Sequence, residues 1–105
     1  PGPGMKPVIL HPLAEAEVDE TADYLEANRT GFGVKFRAAV DTAIRQIGAT
    51  PAVFSQYQSG PARRYLINRF GYGVYFVEQD DAVYVLAVAN QRRQPGYWLD
   101  RLGDI

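Results

Sequence analysis

From Pro12 to about Ile47 apolar residues return every three or four positions, and from Arg63 onward that period gives way to runs of β-branched and aromatic residues. A chain that changes period in this way builds helices first and strands second, and neither half buries its apolar face without the other. Ala14, Val18, Ala22 and Leu25 fall at steps of four, four and three, the stripe of an amphipathic helix from Pro12 to about Asn28. The cluster Asn28-Arg29-Thr30-Gly31 is a turn, with Thr30 as candidate cap of a second helix starting near Gly31 or Phe32. That helix would bury Phe32, Phe36, Ala39, Val40, Ala43, Ile44 and Ile47 until Gly48 and Pro51 stop it. Two such helices make a hairpin in need of a partner surface.

The second half supplies it. Arg63 to Arg69, Gly73 to Gln79 and Ala82 to Asn90 read as strands, separated by turns at Gly71-Tyr72-Gly73 and Asp80-Asp81. The last of them is apolar on both faces, as a central strand would be. Before the helices, Val8-Ile9-Leu10 form a short strand that ends at His11-Pro12, with His11 as a helix-start residue. After Gln94-Pro95-Gly96, the residues from Tyr97 to Leu102 suit one or two terminal helical turns. The expected fold is α+β: an N-terminal strand, a helical hairpin packed on a small, mainly antiparallel sheet, and a short C-terminal helix. It forms one domain over residues 5–105, with Pro51 to Ala62 as the long irregular loop. Pro1-Gly2-Pro3-Gly4, ahead of the only methionine, Met5, reads as a cloning scar.

Composition removes several functions. With 105 residues the chain can bury one core without staples, and with no cysteine it has no thiol nucleophile and no thiolate metal site. No run approaches the ~18–20 apolar residues of a membrane span, and with no signal peptide the expected compartment is the cytoplasm. Gly31-Phe32-Gly33 and Gly71-Tyr72-Gly73 lack the third glycine of a nucleotide loop and read as turns. A serine hydrolase would need a base beside Ser55 or Ser59, and the single histidine, His11, would be there only by chance. Glu15, Asp19 and Asp23 read as a solvated face, so neither metal nor cofactor is expected.

The net charge of −1 gives no global pull toward nucleic acid, but the charge is segregated. Glu15, Glu17, Asp19, Glu20, Asp23 and Glu26 give the first helix an acidic outer face without a single cation. From Arg29 to Arg101, by contrast, ten cations face five anions.

The strands Arg64-x-Leu66 and Tyr72-Gly73-Val74-Tyr75, and above all the run Ala87-Val88-Ala89-Asn90-Gln91-Arg92-Arg93-Gln94-Pro95-Gly96-Tyr97-Trp98, resemble the ParE branch of the RelE/ParE toxin superfamily. The resemblance covers nearly everything from Val8 to Leu102. It implies the toxin of a bacterial type II toxin–antitoxin module, of the plasmid-stabilising kind, neutralised in a hetero-oligomer by a cognate ParD-like antitoxin. It further implies inhibition of DNA gyrase and growth arrest. RelE-like relatives instead cleave messenger RNA in the ribosomal A site, which is the alternative function on the same scaffold.

Cleaving RNA requires a group to activate the 2′-hydroxyl, a proton donor and cations for the phosphate. Tyr97 is a candidate donor. The resemblance to RelE-like members fails, however, where they carry lysines on the second strand and an arginine after the aromatic that opens the third. Here Gly73 stands at the latter position, and the only lysines are Lys6 and Lys35. The expectation is therefore a binding inhibitor rather than an enzyme, without strong direct nucleic-acid binding. Arg63, Arg64, Arg69, Arg92 and Arg93 are the candidate contacts to carboxylates of antitoxin or target, since the arginine fork pairs with a carboxylate at two points. Tyr97 and Trp98 have two readings, a plug over the open end of the core or an exposed hot spot.

Overall fold

The computed structural model describes residues 5–105, so the reading of residues 1–4 lies outside the described residues. Strand β1 (Val8–Leu10) leads through His11 into helix α1 (Pro12–Asn28), and a short turn leads into α2 (Phe32–Ala49). A 3-10 turn at Pro51–Val53 precedes β2 (Arg63–Ile67), β3 (Tyr72–Glu78) and β4 (Val83–Asn90), and a second 3-10 segment, Leu99–Asp104, closes the described chain. β2, β3 and β4 form an antiparallel meander, while β1 pairs parallel to β4, giving the sheet order β1-β4-β3-β2. β4 is therefore central, as its two apolar faces demand.

The first strand of the meander is shorter than its sequence suggests. Asn68 and Arg69 lie in a tight turn in which Phe70 and Gly71 both donate to the Ile67 carbonyl, and Gly71 takes a positive φ of 70° to close it. Tyr72, expected in that turn, already belongs to β3, one residue ahead of the expected start at Gly73.

Each sheet face has its own core. The helical hairpin covers one face, packing Val18, Ala22, Phe36, Val40, Ala43 and Ile47 against residues that include Val74, Phe76, Val83 and Val85. The other face carries Tyr75, Val77, Leu86, Ala87 and Ala89 and is closed by Trp98, with Tyr57 and Tyr97 beside it. Strict alternation would send Val83, Val85, Ala87 and Ala89 to one side. A bulge prevents this: Tyr75 pairs with Ala87 and Phe76 with Val85, so Leu86 has no partner in the register. The extra residue reverses the parity of β4 and places Leu86, Ala87 and Ala89 on the second face.

The acidic helix is not uniformly solvated. The start of α2 is capped by Glu26 rather than Thr30: its two carboxylate oxygens accept from the Gly31 and Gly33 amides at 2.8 and 3.0 Å. Gly31 is the cap residue, in a left-handed conformation at φ 89°, and no side chain of the turn bonds the helix end. An anionic group at a helix N-terminus also meets the positive end of the dipole. His11 starts α1 as expected, its Nδ1 accepting from the Leu13 amide at 3.0 Å. That leaves Nε2 to donate to Asp104 at 2.7 Å, joining the two ends of the fold.

Candidate functional site

Glu17 organises the end of the sheet where the chain returns. β1 stops opposite Val85, so the edge of β4 beyond it has no strand partner on that side. Glu17 Oε1, reaching over from α1, accepts the Val88 amide at 3.0 Å and completes the ladder with a side chain. The same carboxylate takes a bidentate fork from Arg101 at 3.0 and 3.1 Å, and Arg101 Nη1 also donates to the carbonyl of the bulged Leu86 at 2.9 Å. The Tyr97 hydroxyl donates to Glu17 Oε2 at 2.5 Å. The Glu17 and Arg101 side chains are only 13% and 11% exposed, so their pairing works largely out of solvent.

This anchorage fixes one wall of an open cavity of about 370 Å³ between the loop before β2 and the end of β4. Its floor is aromatic: Tyr57, Tyr75 and Trp98 lie with ring centroids 4.8 to 5.5 Å apart. Arg64 approaches from β2, its guanidinium 5.8 Å from the Tyr57 ring and beside the Tyr75 hydroxyl. Arg93 stacks over Tyr97 at 4.2 Å on the opposite wall. Side-chain amides, among them Gln56, Asn90 and Gln94, fill the rim, and no carboxylate lines the cavity.

Four of the seven residues singled out from sequence, Arg64, Arg93, Tyr97 and Trp98, thus meet in one place. Trp98 is 1% exposed, a plug whose edge lines the cavity. The other three lie elsewhere. Arg63, one residue from Arg64 in a strand, points to the opposite face and donates to the Phe54 carbonyl at 2.6 Å. Arg69 sits over Phe32 and Phe70 by the β2–β3 turn. Arg92 is exposed beside the cavity, its backbone amide held by Asn90 Oδ1 at 2.8 Å. Sequence reasoning missed Glu17 and Arg101, whose roles depend on a contact across 84 positions that no local spacing announces.

Burial and the hydrogen bond to Glu17 push the Tyr97 phenol up to about 12. An unfolded tyrosine titrates near ~10. The protonated Tyr97 therefore contributes stability that is whole below that pH and is lost as pH rises through about 12. In urea unfolding, the stability gap between wild type and Tyr97→Phe should be constant up to ~pH 9 and shrink above ~pH 10. A gap that stays the same would mean the phenol is not held by Glu17.

A solved chain titled "Chromosomal ParDE TA system from P. aeruginosa" shares the fold at a TM-score of 0.73, with 11% identity, over 83% of this chain and 97% of that one. Over residues 8–95 the sequence matches the family model described as the ParE toxin of type II toxin-antitoxin system, parDE, and the chain belongs to that family. No curated protein matches the sequence. Membership implies an antitoxin partner. Among the described residues no helix is long and apolar enough to cross a membrane.

Proposed function

We propose that this toxin inhibits DNA gyrase by direct binding, arrests growth, and is neutralised in the bacterial cytoplasm by a ParD-like antitoxin. The observation that carries the reading is the surroundings of Gly73. A Cβ at this position would lie 2.8 Å from the Tyr75 hydroxyl and 2.9 Å from its ring, so the ring occupies the space into which a side chain would extend. An arginine here, as in the RNA-cleaving relatives, would require the Tyr75 ring to shift from its place beside Trp98. Two further observations support a binder. Tyr97, the candidate proton donor, is committed to Glu17 with its pKa far above neutrality, where a general acid is poorly matched to its task. His11, the only histidine, is committed to capping α1 and to Asp104.

Purified toxin added to gyrase should suppress supercoiling and accumulate cleaved DNA. Gyrase activity that is the same with and without it would overturn the proposal. Toeprinting on translating ribosomes should show no toxin-dependent cut, and a cut would replace the gyrase reading with the ribonuclease one.

A further inference from the structure

The cavity at the end of β4 holds two arginines that the fold leaves without a carboxylate partner. Among the described residues Arg101 is paired with Glu17, Arg37 with Asp19 and Lys6 with Glu78, whereas no carboxylate lies within 4.0 Å of Arg64 or Arg93. Both guanidiniums instead rest against aromatic rings, Arg64 near Tyr57 and Arg93 over Tyr97, and face the same open volume. Each has a support built into the fold. Arg64 extends from a paired strand, and the ring beneath Arg93 is tied at its hydroxyl to Glu17.

We propose that this cavity binds a carboxylate side chain of an acidic peptide segment from a protein partner, clamped between Arg64 and Arg93, with an apolar neighbour of that carboxylate against the aromatic floor. The proposal rests on the reading of this protein as a binder and names what the binding site takes. A carboxylate matches the arginine fork, and a preformed clamp lowers the ordering cost of binding. The spread of the remaining arginines argues against a nucleic-acid strand. Tracking a backbone needs a groove of successive cations, but of the remaining candidates only Arg92 lies beside the cavity, while Arg63 is turned to the other face and Arg69 stands by the β2–β3 turn.

Trp98 is the only tryptophan and lines the cavity, so its emission reports occupancy directly. The full chain is titrated with a capped octapeptide of alternating glutamate and leucine, with its glutamine counterpart, with inorganic phosphate and with a short oligoribonucleotide, each followed by emission and by calorimetry. The glutamate peptide should bind saturably and the glutamine peptide should not. Arg64→Gln and Arg93→Gln should each weaken binding about tenfold, the scale of one lost charge-assisted contact, while Arg45→Gln on α2 leaves it unchanged. Arg93 lies on an exposed loop, so its variant tests the clamp even if Arg64→Gln disturbs the sheet. Absence of saturable binding, equal binding of the glutamine peptide, or tighter binding of phosphate or oligoribonucleotide would overturn the assignment. Gyrase inhibition is read separately: peptide binding without inhibition removes the target and keeps the cavity, and inhibition without peptide binding removes the cavity alone.

Discussion

Glu17→Ala is expected to be the most destabilising single change on the polar side of this fold, at about 3–5 kcal/mol, the range for breaking a buried ion pair by deleting one partner. The carboxylate serves three donors at once, Val88 N–H, the Tyr97 hydroxyl and the Arg101 fork, and the alanine variant leaves all three without it. Arg101→Met should cost less, because Glu17 keeps Tyr97 and the Val88 amide when the guanidinium is gone. For a domain of this size each kcal/mol is worth about 4–8 °C in Tm, so the order of the two variants can be read from thermal melts. If Glu17→Ala melts within a few degrees of wild type, the carboxylate is solvated and the C-terminal segment is held by its aromatic residues alone.

The second large effect is expected at Trp98. Truncation to alanine empties the centre of the core on the sheet face away from the helices, where the indole packs at 4.8 Å from Tyr75 and 5.5 Å from Tyr57. Large aromatic deletions of this kind cost about 3–5 kcal/mol, with the spread set by how far the site collapses. The loss should appear in denaturant unfolding followed by circular dichroism, and Trp98→Phe should recover much of it by keeping a ring in place. A Trp98→Ala protein as stable as wild type would show that the second face contributes little to folding. The same variant removes the floor beneath Arg64 and Arg93, so their binding should fall with it.

The parts of the fold that were legible in sequence are those set by local period. The bounds of β1 and α1 are those read from Val8-Ile9-Leu10 and from the stripe Ala14, Val18, Ala22 and Leu25. The central place of β4 follows from its unbroken apolar run, and the three meander strands differ from expectation by one or two residues at their ends. What was not legible depends on distant partners. Glu17 and Glu26 look in sequence like any other carboxylate on an acidic helix, and only the return of Arg101 and the entry angle of α2 give them work. The bulge at Leu86 is likewise silent in an all-apolar run, although it decides which residues of β4 face Trp98. The division of Arg63 from Arg64 was available from the two-residue period of a strand, which sends neighbours to opposite faces.

The bonds that close the structure span 71 to 93 positions, from α1 and its first cap to β4 and the segment after it. At the usual ~5–20 residues per second of synthesis, the 84 positions between Glu17 and Arg101 take roughly 4–17 s to translate. From the end of α2 at Ala49 to the end of β4 at Asn90, the nascent hairpin displays its apolar stripe without a complete sheet to cover it. A ribosome making this toxin therefore carries a foldable but incomplete chain for seconds, with the cavity of Arg64 and Arg93 unformed until the last strand and the tryptophan have emerged.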